Sequence, residues 1–369
     1  MKEKISNYGK YFFIAALMLE TLFVLLDKSN YIIQHETWLF RFTFLLFGVK
    51  ILMTSYSRKE WVAIIGMAIV GVISWFSTGR EEIIRVSVLL IACKGVNMKQ
   101  AMKVVLYETL VGSMIIILLS ITGIYGAMTV TGYFRGGGIE ETRYCLGMGH
   151  PNALHCMFLV TMTLAFALYD DRIDWKWYVT ALIFNYGVYV LTDSRTSFLI
   201  GTATVIFAAF MHYATHLRDK KVLYYLAIAF IIGCVLLSVY IAIVGVDIPF
   251  LRQIDIRING RFQWARSEGG IGYWSLFSNE MNQNYFDMGY VRLFYWYGIV
   301  PAIMYIIMMC TAVWRCWKYR AYDAFLVIMV FAAYSLIEAH AVSVYIGRNY
   351  ALFYMGTLIF SDQVQTKSE

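Results

Sequence analysis

Four arginines lie in the longest polar stretch of this sequence, and their side chains could together bind an anionic group. The stretch covers residues 247–289 of a chain that is otherwise a succession of apolar segments. A guanidinium group presents a planar fork of donors that binds phosphate oxygens bidentately and keeps its charge. The stretch therefore predicts a site for a phosphate-bearing ligand. Its basic residues, none of which is Lys or His, are Arg252, Arg257, Arg261 and Arg266.

Aromatic side chains are interleaved with these arginines. Trp264, Tyr273 and Trp274 could stack on sugar rings, or they could anchor the segment at the level of lipid headgroups. A connection this long between apolar segments is usually functional or disordered, and its aromatic content argues against disorder. We therefore expect a folded connection that carries a function.

The surrounding apolar segments indicate a polytopic membrane protein of the all-α class. The 369 residues are 60% hydrophobic and 15% charged, and the mean hydropathy is +0.61. Repeated apolar runs of about twenty residues are typical of transmembrane helices. We predict one integral membrane domain over 1–369, with about twelve transmembrane helices and a long extracytoplasmic loop at 247–288. The predicted spans are 11–26, 37–53, 61–76, 83–97, 103–125, 150–169, 175–192, 197–213, 222–246, 289–314, 322–338 and 343–360.

Basic residues set the predicted orientation, a multi-pass protein of the cell membrane with both termini in the cytoplasm. Every inner loop then carries a basic cluster, as the positive-inside rule requires. The fourth span is brief and contains Arg85, but dropping it would place the later Lys clusters outside. The inner side holds 13 Lys and 5 Arg, and the outer side holds 12 Arg and 1 Lys. This Arg bias favours an anionic ligand at the outer face over arginines that merely extend toward headgroups.

The composition also excludes some classes of function. The net charge of +7 resides in short loops, so it does not indicate a nucleic-acid partner. Six cysteines are scattered without a CxxC pair or a Cys/His cluster, which predicts neither a disulfide framework nor a metal site. The basic and then apolar N-terminus lacks a small-residue cleavage site, and it predicts an uncleaved first span.

A first motif, RYCLGMGHPN, runs from Arg143 to Asn152. Pro151 suits the first turn of a helix, where its missing N–H costs nothing. A helix that begins there presents free backbone N–H groups to an anion, with His150 and Asn152 beside it. The alternative is a plain helix cap whose side chains face water.

A second motif, TDSRT, covers residues 192–196 and forms a tight turn between two predicted spans. Arg195 lies at the membrane boundary with hydroxyl groups around it, including that of Ser194. It is either a phosphate ligand or a turn residue whose side chain extends toward the headgroups.

These motifs and the long loop resemble the O-antigen ligase and polysaccharide polymerase superfamily, and most closely its Wzy-type repeat unit polymerases. The loop adds two similar elements, GRFQW at 260–264 and DMGY at 287–290. The resemblance covers roughly residues 130–300. It implies a GT-C-like glycosyltransferase of the outer leaflet that needs no metal or other cofactor.

The resemblance also implies the substrates and partners. The enzyme would polymerise undecaprenyl-diphosphate-linked oligosaccharide repeat units for a capsular polysaccharide, an exopolysaccharide or O-antigen. Its partners would be these lipid-linked sugars, the bilayer, and a flippase and chain-length regulator of the same pathway. A ligase of the same superfamily is the near alternative, and a polysaccharide flippase or exporter is the alternative from another class.

Roles follow for individual residues. Arg195 and Arg261 are the first candidates to bind the diphosphate, with Arg143 and Arg266 next. Some ligases of the superfamily carry a His in the long loop, and its absence here weakens the ligase alternative. The base for the acceptor hydroxyl is an outer carboxylate or imidazole, namely Asp287, Glu338, His340, His150 or Asp193. Predicted contacts to the glycan and other groups are Asn152, Ser194, Trp264 and Tyr290.

Overall fold

Helices form most of this protein, as the composition predicts. A computed structural model describes residues 2–133, 140–339 and 342–360, with side chains from residue 8 onward. The helices of the described chain are α1 (Lys2–Lys28), α2 (Glu36–Leu52), α3 (Arg58–Thr78), α4 (Glu82–Ala92), α5 (Met98–Ile121), α6 (Pro151–Tyr169), α7 (Trp175–Thr192), α8 (Arg195–Tyr213), α9 (Thr215–Arg218), α10 (Lys221–Val244), α11 (Pro249–Arg257), α12 (Arg261–Gly269), α13 (Gly289–Tyr297), α14 (Ile299–Tyr319), α15 (Tyr322–Tyr334) and α16 (Tyr350–Ile359). Short 3₁₀ turns cover Asp170–Arg172, Ile271–Tyr273 and Ile346–Arg348.

Seven helices of the described chain are long and apolar enough to cross a membrane. They are α1 from Tyr8 onward, α3, α5, α6 with the 3₁₀ turn that follows it, α8, α10 and α14, each 19 to 24 residues long. At about 1.5 Å per residue, such helices match a hydrocarbon core about 30 Å thick. Large apolar side chains on α10, such as Leu226 and Leu236, are exposed and suit contact with lipid. These features identify a helical membrane protein.

The other five predicted spans coincide with helices that are shorter or less apolar, namely α2, α4, α7, α15 and α16. Three of them have only 11, 13 and 10 residues, α4, α15 and α16 respectively. At about 1.5 Å per residue none of these three reaches 30 Å alone. They are largely buried, and α16 packs against α4, α14 and α15. Short helices are tolerated in a membrane where protein rather than lipid surrounds their ends.

Two long connections contain secondary structure of their own. Strands β1 (Thr129–Gly132) and β2 (Glu141–Tyr144) pair antiparallel, with Val130 opposite Arg143. This two-stranded sheet is an exception to the predicted all-α class. In the connection at 247–288, α11 packs against α12, and α12 packs against α10 and α13. The connection is therefore folded, as its aromatic content predicts.

Candidate functional site

The predicted motifs converge on one cavity of about 310 Å³, which we call the arginine cavity. Its walls come from β2, the start of α6, the turn between α7 and α8, the α11–α12 pair and the segment before α13. The lining residues come from four separate stretches of the sequence, 143–152, 193–196, 257–264 and 285–287, which meet at this cavity. The lining residues are Arg143, His150, Asn152, Asp193, Ser194, Arg195, Thr196, Arg257, Ile258, Asn259, Arg261, Trp264, Tyr285, Phe286 and Asp287.

The turn between α7 and α8 places Arg195 on the cavity wall. Asp193 ends α7 in a left-handed conformation with φ of 48°, which Asp tolerates better than most residues. The chain reverses there, and Arg195 becomes the first residue of α8. Its side chain is exposed, and no ion pair or hydrogen bond links it to another residue of the described chain. Its charge is therefore available to a ligand.

Arg257 is a second available cation in the cavity, although the motifs single out Arg261 and Arg266 rather than Arg257 among the four arginines of the long connection. It ends α11 and is exposed, and its side chain likewise has no ion pair or hydrogen bond within the described ranges. The signal that could have identified it was its place among the four arginines of the long connection. Arg195 and Arg257 together give the cavity two guanidinium groups that no described carboxylate neutralises.

Arg143 has a different setting, because two carboxylates surround it. Its Nη2 atom lies 2.6 Å from Oε2 of Glu141 and 2.8 Å from Oδ2 of Asp193. The side chain is largely buried and ties β2 to the turn that carries Arg195. This geometry makes Arg143 a support for the cavity wall more than a free phosphate ligand.

Arg261 also lies between two carboxylates. Its Nη2 atom is 3.1 Å from Oδ2 of Asp287 and 2.7 Å from Oε1 of Glu338. Its Nη1 atom donates a hydrogen bond to the carbonyl of Ile337 at 3.1 Å. The role of first diphosphate ligand, predicted from the GRFQW element, therefore fits Arg261 less well than it fits Arg195.

The two carboxylates beside Arg261 differ in environment. Asp287 lines the arginine cavity, and 33% of its side chain is exposed. Glu338 lies in the connection beyond the end of α15, contacts Arg261 and is buried. Burial, and then the negative charge of Asp287, raise the pKa of Glu338 to about 7, although Arg261 opposes the shift. Of these two predicted bases, Asp287 is therefore the one that a ligand in the cavity can reach, and Glu338 lies behind it.

His150 and Asn152 combine the two interpretations that the sequence left open. The Nδ1 atom of His150 accepts a hydrogen bond from the backbone N–H of Asn152 at 3.1 Å and so caps α6. Both residues also line the cavity. Partial burial beside the cavity, and then the positive charge of Lys28, lower the pKa of His150, which favours its neutral form. His340, another predicted base, lies outside the described residues.

Two predicted site residues lie away from the cavity. Tyr290 is fully buried, and its hydroxyl donates to the carbonyl of Ala332 at 3.0 Å, so it belongs to the core and cannot contact a glycan. Arg266 pairs with Asp247 at 2.6 Å and lines a separate open hollow with Arg252. The other predicted contacts, Ser194 and Trp264, do line the cavity.

The DMGY element brings Asp287 to Arg261 and Glu338 by a close backbone approach. Met288 is buried in a left-handed conformation with φ of 74°, an uncommon state for a bulky residue. Its N–H donates to the carbonyl of Ile337 at 3.1 Å. A Cβ atom on Gly289 would lie 2.8 Å from the carbonyl oxygen of Glu338 and 3.0 Å from that of Ser335. Glycine is therefore required where α13 begins.

We expect Gly289→Ala to destabilise the protein by about 1–3 kcal/mol, because an added methyl group must displace two backbone oxygens. Thermal unfolding in detergent measures the change. Gly272→Ala is the matched control in the same connection, since a Cβ atom there meets nothing within 4 Å. Equal melting temperatures for the two variants would contradict the close approach.

A stack of aromatic rings and guanidinium groups supports the wall of the arginine cavity that contains Tyr285 and Phe286. Arg292 is 1% exposed and lies between Tyr285 and Trp296, with its Cζ atom 3.8 Å and 3.9 Å from the two ring centroids. Arg80 covers Trp296 at 3.9 Å. Arg292 also donates to the carbonyl of Phe286 at 3.1 Å. The stack holds the segment that carries Tyr285 and Phe286 into the cavity lining.

The polar side chains of the arginine cavity carry several kinds of donor and acceptor group. No group of three or more His, Cys, Asp or Glu side chains lies close enough to hold one within the described ranges. The cavity offers guanidinium, carboxylate, imidazole and hydroxyl groups. Such a set suits binding of an anion and transfer of a proton.

The fold and the cavity thus define a helical membrane protein with an arginine-rich site where its long connections meet. No protein family, curated protein or solved structure matches this chain.

Proposed function

We propose that this protein is a glycosyltransferase that polymerises undecaprenyl-diphosphate-linked oligosaccharide repeat units at the outer face of the cytoplasmic membrane. The observation that carries the proposal is the content of the arginine cavity. Arg195 and Arg257 lack a carboxylate partner in the described chain, and Asp287 lies in the same lining. A cation pair for a leaving diphosphate and a base for an acceptor hydroxyl are thus available together.

The chemistry assigns a role to each group. The acceptor hydroxyl attacks the anomeric carbon of the donor sugar, and its proton passes to the carboxylate of Asp287. A bond forms between this carbon and the acceptor oxygen, while the bond to the diphosphate oxygen breaks. The lipid diphosphate leaves with the electron pair. Fixed guanidinium groups at Arg195 and Arg257 stabilise the charge that grows on it.

The proposal includes the topology and the relation to the polymerase superfamily. We propose twelve membrane passes, counting the five shorter helices, in a GT-C-like architecture with cytoplasmic termini. The clusters of Lys in alternate connections support this orientation, and the meeting of the GHPN, DSRT and GRFQW elements at one cavity supports the resemblance. The flippase and the chain-length regulator of the same pathway remain the proposed protein partners.

The orientation is tested with an impermeant maleimide on intact cells. We expect Gln263→Cys, exposed in the long connection, to be labelled from outside. Lys220→Cys, exposed in the connection between α9 and α10, should be labelled only after permeabilisation. The unmodified protein is the control, since its six cysteines are thiols, five of them buried. External labelling at Lys220→Cys would contradict the orientation.

The activity is tested with purified protein in liposomes that contain lipid-linked repeat units. We expect a ladder of lipid-linked products that differ by one repeat unit, without added metal. A ligase would instead attach the glycan to a second acceptor at unchanged chain length. A flippase would move the units across the bilayer without lengthening them. Either of these results, or full-length polysaccharide in a strain that lacks the gene, would overturn the proposal.

A further inference from the structure

A second cavity of about 330 Å³ lies between α2 and the corner where α3 meets α4. It shares no lining residue with the arginine cavity. Phe40, Phe44 and Trp75 form its apolar walls, and Phe44 and Trp75 are partly exposed on the surface of the helices. Their exposure opens the cavity to the side, where a membrane protein meets lipid.

The rim of this cavity carries one charge of each sign. Arg41, near the start of α2, lies 2.9 Å from Glu81, which directly precedes α4. Their side chains are 52% and 30% exposed. An exposed ion pair of this kind is held weakly, so a ligand that offers both an anion and a cation can separate it and pair with each member.

A buried donor lies deeper, one helical turn beyond Glu81. Arg85 is 4% exposed, pairs with Glu20 at 3.2 Å and donates to the carbonyl of Val344 at 2.8 Å. It also stacks on Phe40 at 3.9 Å. Its Nε–H group has no acceptor in the described chain, and buried donors normally have one. Arg85 also lines the cavity, so a ligand there meets a buried cation beyond the exposed rim.

The order of these groups matches that of a glycerophospholipid. A charged head comes first, ester carbonyl groups follow, and apolar chains lie deepest. We propose that this cavity is a binding site for one zwitterionic, amine-bearing glycerophospholipid of the membrane. Its phosphate pairs with Arg41, its ammonium group with Glu81, and its ester region lies beside Arg85. The acyl chain lies along Phe44 and Trp75. This site is independent of the proposed transferase activity.

The side chains of Arg41, Glu81 and Arg85 predict that the site prefers some phospholipid headgroups to others. Phosphatidylethanolamine offers the phosphate and an ammonium group that donates hydrogen bonds to a carboxylate. Phosphatidylglycerol lacks the cation, and the quaternary ammonium of phosphatidylcholine cannot donate. Since charge-assisted hydrogen bonds are the strong ones, we expect the delipidated protein to bind phosphatidylethanolamine about tenfold more tightly than either of the other two.

Native mass spectrometry of the full chain, titrated with the three lipids at matched acyl chains, measures these affinities. The double variant Arg41→Gln/Glu81→Gln should lose the preference. Lys99→Gln/Asp171→Asn is the matched control, because it removes another exposed ion pair, one with a separation of 3.9 Å, and should retain it. Equal binding of all three lipids by the unmodified protein would overturn the proposal without any substitution.

One further probe separates this site from the substrate site. Undecaprenyl diphosphate should compete with phosphatidylethanolamine only weakly, because the rim carries Glu81 beside Arg41. Strong competition that Arg41→Gln/Glu81→Gln removes would assign the cavity to the isoprenoid lipid and overturn the proposal. Loss of transferase activity in any assay leaves these lipid measurements unchanged, so the two proposals fail separately.

Discussion

Replacing Arg195 by alanine should lower the rate of oligosaccharide transfer by about 10²–10³-fold, the usual effect of removing one preorganised group from a developing anion. Arg195 is exposed on the cavity wall and has no partner in the described chain. Its charge is therefore not already neutralised before substrate binds. Arg195→Lys should be nearly as impaired, because a single ammonium group cannot reproduce a bidentate contact. Initial rates in liposomes, with both lipid-linked substrates saturating, measure the loss.

The matched control is Arg252, an exposed arginine of the long connection at 247–288, which lines the separate hollow with Arg266. Arg252→Ala and Arg252→Lys should keep nearly full activity. If Arg195→Lys restores the rate completely, Arg195 supplies charge alone and the bidentate contact is wrong. If Arg195→Ala is fully active, the leaving group does not bind there.

Asp287→Asn should cost about 10²–10⁴-fold in rate at every pH, as loss of a general base does. Glu338→Gln should act differently, because Glu338 is buried behind Arg261 and its pKa is raised to about 7. As the pH rises through 7, Glu338 ionises and places a second negative charge beside Asp287. That charge competes with Asp287 for Arg261, so the carboxylate of Asp287 is paired less tightly and is freer to meet the acceptor hydroxyl. The rate should therefore rise with pH, with an inflection near 7.

A pH profile from about 5.5 to 8.5 around the value for Glu338 tests this division of roles. We expect the inflection near 7 in the unmodified enzyme and its absence in Glu338→Gln. His150→Gln provides the comparison, since an imidazole base would take the inflection with it. An Asp287→Asn variant with full activity, together with an inflection that survives Glu338→Gln, would reject both carboxylate assignments.

Local motifs allowed much of the site to be predicted. The GHPN and DSRT elements each combine a helix start with polar side chains, and such features depend on neighbouring residues alone. Glu338 was a candidate because an acid so close to an apolar span needs a reason. Its contact with Arg261 could not be predicted, since it depends on how the connection after α15 meets the start of α13.

The arginine bias of the outer connections identifies the arginines available to a ligand less well than the sequence alone suggests. Arg41, Arg85 and Arg348 form ion pairs with Glu81, Glu20 and Asp27. These partners are distant in sequence and become visible only when the helices are packed. Among the described outer arginines, Arg195, Arg252 and Arg257 are those whose side chains make no ion pair or hydrogen bond in the described chain.

Hydropathy predicts where the apolar segments lie, but it does not predict how much of each segment is helical. It cannot distinguish a run that faces lipid along its whole length from one that other helices surround. The run at 343–360 begins with an irregular stretch and a 3₁₀ turn, so only Tyr350–Ile359 is α-helical. The β1–β2 pair escaped notice because its strands have only four residues each, too few for an alternating pattern to be recognised.

The stack from Arg80 through Trp296 and Arg292 to Tyr285 makes the walls of the arginine cavity differ in the side-chain entropy that they lose when a ligand binds. Behind Tyr285, Arg292 and Trp296 have already lost their side-chain entropy on folding, because they are buried and interleaved in the stack. Arg195 and Arg257, in contrast, keep most of their rotamer freedom until a ligand immobilises them. Binding of an anion by Arg195 and Arg257 should therefore carry an entropic penalty that contact with the Tyr285 wall does not.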